Sequence, residues 1–256
     1  MNFNVAYNDD ARKMEQLAEN MVDLVITSPP YFNLVNYNDD NQIGITETYD
    51  NYIKSLNKVW KRCIYALKEN GTICINICNS LELTRKNNNN YFDIKHDIED
   101  FFVNNDFYIE GTIIWNIYND NYFNNQVVRY HEAYPSSKNI ILNNYEYVLI
   151  FKRKKDFKQH NKDFSDTNLI NCIWNIPWDY NTRPPAFPKE LVDKLILLYS
   201  KENDIILDPF MGQATTAIRA LKNNRKFITY EINKDVYDIG IQKIKEVEGE
   251  IYGRNN

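Results

Sequence analysis

Residues 205–216 read Ile-Ile-Leu-Asp-Pro-Phe-Met-Gly-Gln-Ala-Thr-Thr. The first three suit a buried strand, the last two open an amphipathic helix, and a turn of small residues joins them. Such a strand–turn–helix junction is a cradle for a nucleotide-like ligand, because the backbone approaches closely and the first amides of the helix face inward. The dinucleotide fingerprint G-x-G-x-x-G is absent, which disfavours NAD, and so is the Gly-Lys-Ser/Thr of a phosphate loop. Residues 226–231 form the next strand and end in an acid, Glu231, 23 positions beyond Asp208. An acid at the tip of the second strand of such a unit is placed to accept both hydroxyls of a ribose.

Around this unit, short strand-like runs alternate with longer amphipathic stretches, the pattern of an α/β domain with a mostly parallel sheet and helices on both faces. Strands are expected at 4–7, 24–27, 72–78, 112–116, 147–152, 205–207 and 227–230. Helices are expected at 11–19, 49–67, 92–104, 189–199, 215–222 and 236–247. Gly71, after Leu67-Lys68-Glu69-Asn70, reads as a left-handed cap that closes the helix at 49–67. A chain of 256 residues has room for one sizeable core, and 1–256 is taken as a single domain. Residues 117–146 and 153–187 are polar, aromatic and irregular. They read as inserts on one side of the sheet, and 117–182 is taken as the approximate target-recognition region. The asparagine run at 87–90 reads as a loop tip.

A second junction stands near the N-terminus. Residues 22–31, VDLVITSPPY, are an apolar run halted by two prolines with an aromatic ring behind them. Proline lacks an N–H and cannot extend a central strand, so the sheet ends there. A rigid turn is the plain reading; the chemical one is that the turn holds polar groups and a ring for a reaction. The Ser28 hydroxyl and the Pro29 carbonyl can both accept from one amino group, and Tyr31 can stack on the flat ring that carries it. The exocyclic amine of a nucleobase is a poor nucleophile, its lone pair delocalised into the ring. Two acceptors on its two N–H bonds draw the nitrogen towards tetrahedral geometry, and they bind more strongly as positive charge develops. The base must leave the duplex to reach such a pocket. An aromatic face returns about 1–3 kcal/mol of the stacking it loses.

Composition narrows the classes. Hydrophobic residues at 43% and charged residues at 25% are those of an ordinary globular protein. The start has no basic stretch followed by an apolar one, and no run approaches the length of a membrane span, so a cytoplasmic protein is expected. A net charge of −5 argues against unspecific coating of nucleic acid, while leaving room for a local basic surface such as Lys152-Arg153-Lys154-Lys155. Of the four cysteines, Cys74 and Cys78 fall in an alternating run that places both on one face. No His-rich segment accompanies them, so buried free thiols are expected, and no metal.

On Ser28-Pro29-Pro30-Tyr31 and Asp208-Pro209-Phe210-x-Gly212 the chain resembles the amino-methylating DNA methyltransferases that use S-adenosylmethionine. Asn8-Asp9-Asp10-Ala11 is similar to that family's turn before the catalytic strand. Residues 67–77 are similar to its strand that follows Leu-Lys-Pro-Gly-Gly, and 183–191 to its segment ahead of the donor loop. The catalytic motif comes first and the donor loop near the C-terminus, which resembles the circularly permuted β class. Joining the termini restores the ordinary strand order of the Rossmann-like methyltransferase fold. The strands ending at Asp208 and Thr27 then become neighbours at the sheet's switch point.

The resemblance implies roles. Ser28, Pro29, Pro30 and Tyr31 would be catalytic. Asp10, Phe187, Pro188, Asp208, Phe210, Gly212, Thr215, Thr216 and Glu231 would hold S-adenosylmethionine. Arg129, Lys138, Arg153, Lys155 and Lys158 are the candidates for phosphate or guanine contacts, while His131, His160 and Trp174 read as structural. Serine rather than aspartate at position 28 leans to cytosine N4 as acceptor, with adenine N6 on DNA or RNA as the rival. Methylation at the cytosine ring carbon needs a thiolate, usually in a Pro-Cys turn, and no proline here precedes a cysteine. Alanine at 214, where the family has its second glycine, puts donor affinity in question, because alanine adopts a positive φ only at a cost. It motivates a second rival, an inactive binder of S-adenosylmethionine or nucleic acid. Double-stranded DNA is the implied partner. A homodimer and a cognate restriction endonuclease are implied by the resemblance alone.

Overall fold

The computed structural model describes residues 3–33, 39, 41–78, 91–117, 145–154, 167–177 and 188–253. Phe187, Arg129, Lys138, Lys155 and Lys158 lie outside them, as do His131 and His160. The described strands are β1 (Val5–Tyr7), β2 (Val22–Thr27), β3 (Leu67–Ile77), β4 (Phe107–Asn116), β5 (Tyr145–Arg153), β6 (Ile173–Asn175), β7 (Ile205–Asp208) and β8 (Lys226–Tyr230). They form one sheet in the order β1-β8-β7-β2-β3-β5-β4-β6. From β1 through β3 every pairing is parallel; β5 runs antiparallel to both β3 and β4, and β6 is parallel to β4. This is the Rossmann-like α/β architecture expected. The strand nearest the N-terminus lies beside the strand nearest the C-terminus, and the strands of the two motifs, β2 and β7, are direct neighbours.

The helices are α1 (Tyr49–Ala66), α2 (Ile94–Val103), α3 (Thr167–Ile170), α4 (Lys189–Tyr199), α5 (Thr215–Lys222) and α6 (Lys234–Tyr252). Helix α1 starts where Thr48 Oγ1 accepts from Asn51 N–H, α2 where Asp93 accepts from His96 N–H, and α6 where Asn233 accepts from Val236 N–H. Each apolar stripe turns onto the sheet. Leu56, Val59, Trp60 and Cys63 of α1 pack with Ile98 and Phe102 of α2 on one face. Leu191 and Leu195 of α4, Ala217 and Leu221 of α5 and Ile244 of α6 pack on the other.

The β2/β7 pair, Leu24 against Ile206 and Val25 against Leu207, is clasped at both ends by side chains. Asp23 accepts from Ile205 N–H at 2.9 Å and from the Lys68 ammonium at 2.7 Å. At the other end Thr27 Oγ1 donates to Asp208 Oδ1 at 2.8 Å. Segments about 180 residues apart in the chain are thus held in register where the two motifs begin.

Four expectations need correction. The stretch 11–19 is a series of turns rather than a helix. Asp10 Oδ1 accepts from Arg12 N–H, and Met14 has φ +38°. A local side-chain bond therefore outcompetes the helix, although Ala11, Met14 and Leu17 are buried as their spacing implied. Gly71 is no left-handed cap, since β3 already begins at Leu67 and carries extra residues between the partners of Val22 and Leu24. Glycine is needed there for room: a Cβ would stand 2.6 Å from the Leu67 side chain and 3.0 Å from the Asp23 carbonyl. Cys74 and Cys78 face opposite cores, because the alternation stops with β3 at Ile77. They are free thiols, both buried. Residues 173–175, assigned to an insert, are instead edge strand β6, with Trp174 buried opposite Trp115. Among the described residues no helix is long and apolar enough to cross a membrane.

Candidate active site

Strands β1, β8, β7, β2 and β3 all point their C-terminal ends at one edge of the sheet, and both motifs open there. On the donor side, Asp208 caps β7. Its Oδ1 accepts Phe210 N–H at 3.0 Å as well as the Thr27 hydroxyl. Burial pushes the Asp208 carboxyl up to about 7 against the pull of these donors. Thr216 also faces this carboxylate and favours its charged form, although its buried Oγ1 makes no hydrogen bond of good geometry to a described partner. The Phe210 ring turns edge-on to Trp60 of α1, 6.3 Å between centroids, which ties the turn to the core.

Gly212 has φ +49°, and a Cβ there would meet nothing within 4 Å. Its N–H donates to Glu231 Oε2 at 3.0 Å, and Glu231 Oε1 accepts from Asn233 N–H at 2.9 Å. The acid past β8 is therefore fixed by two backbone amides. Burial raises its pKa, with those amides opposing. Ala214, the residue that departs from the family pattern, sits in the left-handed region at φ +64° and ψ 25° directly before α5. Across the turn, helix α6 comes close at Gly240. A Cβ there would be 2.5 Å from the end of the Met211 side chain and 3.3 Å from the Gly212 carbonyl.

Asp10 follows β1 on the same edge, and its carboxylate pairs with Arg12 at 2.8 Å. Nearby, the Asn8 side chain donates to the Glu231 carbonyl at 2.8 Å. Pro188 is buried at the start of α4, its carbonyl accepting from Leu191 N–H. Thr215 opens α5.

On the acceptor side, Pro29 is buried and Ser28 is half-buried just past β2. The Pro30 carbonyl accepts from the Tyr52 hydroxyl of α1 at 3.1 Å, which pins the turn to the core. The hydroxyls of Ser28 and Tyr31 lie 3.1 Å apart. Tyr31 in turn donates to Glu146 Oε2 at 3.2 Å, and Asn76 Nδ2 donates to the same oxygen at 2.8 Å. Burial first, and then the Glu146 charge, push the Tyr31 phenol well above its ordinary value, so it keeps its proton. Glu146 was not among the residues singled out from the sequence. It is a buried acid one position into β5, the antiparallel strand, whose start stands beside the end of β3.

Arg153 is the correction among the nucleic-acid candidates. Because β5 runs against β3, residue 153 lies at the opposite end of the sheet, with Phe151 paired to Ile73 and Tyr147 to Ile77. Its guanidinium donates to the Ile64 and Leu67 carbonyls at 2.7 and 3.1 Å, closing the end of α1, and stacks over Phe107. Lys152 pairs with Glu110, and Lys154 donates to the Val103 carbonyl. The described part of the basic run braces the fold away from the reaction edge.

Residues 22–242 match a DNA methylase family, and the chain belongs to it. It is 29% identical to the type II methyltransferase M.MjaI of Methanocaldococcus jannaschii, over 92% of this chain and 89% of that one. Two solved structures share the fold. One is a putative DNA modification methylase of Thermus thermophilus complexed with S-adenosyl-L-methionine, with TM-score 0.70, 22% identity and 94% and 93% of the two chains covered. The other is the PvuII DNA methyltransferase, described as cytosine-N4-specific, with TM-score 0.71, 16% identity and 96% and 91% covered.

A DNA methylase of this family takes its methyl group from S-adenosylmethionine, and the donor-side residues fit that molecule. The space beside Gly212 is open, and the Glu231 carboxylate keeps lone pairs beyond the two amides it accepts.

Proposed function

We propose that the chain methylates the exocyclic N4 amine of a cytosine flipped out of double-stranded DNA, at a defined sequence, with S-adenosylmethionine as donor. The observation that carries this reading is the Thr27–Asp208 hydrogen bond, which unites the tip of the Ser-Pro-Pro-Tyr strand and the tip of the donor strand in one edge. Glu231 holds the ribose of the donor, while Asp208, Phe210, Gly212, Thr215 and Thr216 shape its turn. Asp10, Phe187 and Pro188 border the remainder of the donor pocket. S-adenosylmethionine would supply an electrophilic methyl group, its sulfur leaving with the C–S bonding pair as a neutral thioether while the methylated amine gives up one N–H proton to solvent. Ser28 Oγ and the Pro29 carbonyl accept the two amine N–H bonds, turning the nitrogen lone pair outward, and the Tyr31 ring carries the base. These acceptors are fixed before the base arrives, so they stabilise the positive charge that grows on nitrogen without having to reorganise.

The choice of cytosine rests on Ser28, and adenine N6 is the alternative product of the same geometry. The buried thiols fit this reading. Burial pushes Cys63 and Cys74 far above the ordinary thiol range, which removes them as nucleophiles for ring-carbon methylation. The setting that suits the reading is a cytoplasmic restriction–modification system, in which the chain marks DNA against a cognate endonuclease, as a monomer or a homodimer. Arg129, Lys138, Lys155 and Lys158 remain the proposed DNA contacts, within a single domain whose 117–182 region contains the target-recognition segments.

Mass spectrometry of nucleosides tests the reading. Unmodified duplex DNA incubated with the protein and donor should yield N4-methylcytosine on digestion. N6-methyladenine would move the assignment to the alternative, and donor binding without transfer to any DNA or RNA would leave only the inactive binder.

A further inference from the structure

The hydroxyl of Ser28 can serve as an acceptor only if its own proton is directed elsewhere, and the structure supplies the means. A phenol carries a single proton. Tyr31 gives its proton to Glu146 Oε2, an oxygen that only accepts and that also receives the Asn76 amide at 2.8 Å. In the 3.1 Å contact between Ser28 and Tyr31 the phenol oxygen therefore has only lone pairs to offer, and Ser28 must donate. The chain of hydrogen bonds has one direction, from Ser28 to Tyr31 to Glu146, with Asn76 holding the far end.

We infer that Glu146 is a positioning residue for the methyl-transfer reaction: acting through Tyr31, it draws the Ser28 proton away from the pocket, so that Ser28 presents lone pairs alone to the substrate amine. This rests on the amine-methylation reading and adds to it the group that sets the polarity of the catalytic serine. Two consequences follow from the geometry. An amine N–H meets an acceptor and never a competing O–H, so the orientation of the nitrogen is enforced rather than sampled. Each bond in a chain that ends on a carboxylate polarises the next, so Ser28 Oγ becomes a stronger acceptor as charge develops on the amine. The carboxylate itself never reaches the substrate.

The sequence explains why the device requires three strands. Ser28 and Tyr31 are three residues apart on one turn after β2, whereas Asn76 comes from the end of β3 and Glu146 from the start of β5. The antiparallel direction of β5 brings its first residues, rather than its last, to the reaction edge.

The test combines kinetics with a direct view of the protons. Glu146→Leu, which removes the acceptor at similar size, is expected to lower kcat by about 10- to 100-fold, with KM for donor and for DNA little changed. Tyr31→Phe is expected to cause a loss of the same order. In the double variant Tyr31→Phe/Glu146→Leu the losses should not multiply, because both changes cut one chain. Glu146→Gln, which keeps an oxygen where Oε2 stands, should recover most of the kcat lost in Glu146→Leu. Multiplying losses, or a glutamine variant as slow as the leucine one, would overturn the inference; melting curves and donor-binding calorimetry on each variant separate this from misfolding. Neutron diffraction on deuterated protein decides independently of activity. Deuterium on Ser28 Oγ pointing to Tyr31, and on Tyr31 pointing to Glu146, is expected; deuterium on Tyr31 pointing to Ser28 contradicts it. A protein that methylates no nucleic acid would overturn the proposed function, and the neutron map would still judge the hydrogen-bond chain.

Discussion

The two halves of the edge proposed for the reaction are built differently. The donor turn is held by backbone amides closing onto nearby carboxylates: Phe210 N–H on Asp208, Gly212 N–H and Asn233 N–H on Glu231. Its parts lie within residues 208–233 and form one strand–turn–helix–strand unit. The acceptor turn is held by side chains converging from distant elements: Tyr52 of α1 on the Pro30 carbonyl, and Asn76 and Glu146 from β3 and β5 behind Tyr31. On the proposed reading, S-adenosylmethionine is met by backbone geometry, while the atoms that polarise the nucleophile are met by individually placed side chains. The first half is therefore sensitive to backbone shape and the second to single functional groups.

This contrast orders the expected effects. Ser28→Ala should be the most damaging change, lowering kcat by about 100-fold or more while leaving donor affinity unchanged, because it removes one acceptor and nothing from the donor turn. Single-turnover methylation alongside donor calorimetry checks both halves at once. Glu231→Ala should invert that pattern. Loss of a charged acceptor for two amides, and for the ribose that the proposal gives it, should weaken donor binding by about 10- to 100-fold, seen as a raised donor KM with kcat moving less. Should both variants alter donor affinity alike, the division between the halves fails.

Asp208 stands at the seam between them. Its folded pKa, near 7, lies above the usual carboxylate range, so the folded state binds its proton more tightly than the unfolded chain does. For this group stability falls as pH rises from about 4 to about 7, and the loss is complete above that. Asp208→Asn, which keeps the oxygen that accepts from Thr27 and Phe210, should therefore gain melting temperature relative to the parent as pH rises through that window. An unchanged difference across pH would show that the carboxyl is not strained by burial.

The smallest effect is expected at Ala214. The left-handed conformation costs an L-residue about 1–2 kcal/mol. Glycine relieves this and loses a buried methyl worth about 0.8 kcal/mol. Ala214→Gly should stabilise the fold by about 0.5 kcal/mol, with donor affinity within about twofold of the parent. A large gain in affinity would mean that the alanine does weaken the donor turn.

The same contrast explains what could be read from the sequence. Leu207-Asp208-Pro209 and Thr27-Ser28-Pro29 announce themselves because apolar runs, prolines and small turn residues act locally, and α4 and α5 span the residues their apolar spacing marked out. Local rules failed where a side chain intervened, as at Asp10 and Arg12, where a turn displaced the helix expected at 11–19. They failed too where the reason lay across the sheet. Gly71 is required by the Leu67 side chain and the Asp23 carbonyl rather than by its own dihedral angles. Glu146 stands at the end of a polar aromatic stretch with nothing in its neighbours to mark it, and only the reversed direction of β5 brings it to Tyr31. Arg153 suggested DNA by its basic neighbours, and the same reversal carries it to the far end. The three-residue β6 is too short to show an alternating pattern, so its pairing with β4 could not be foreseen.

The central claim is that the two turns form one reaction centre. A crystal structure with a non-reactive donor analogue and a duplex carrying the target site tests it most directly. The expected result is an analogue whose ribose hydroxyls meet Glu231, with its sulfur in line with an amine nitrogen bonded to Ser28 Oγ and the Pro29 carbonyl. A methyl carbon built on that sulfur would then lie about 3–3.5 Å from the nitrogen. An analogue bound away from Gly212 and Glu231, or a flipped base whose amine does not reach Ser28, would contradict the account.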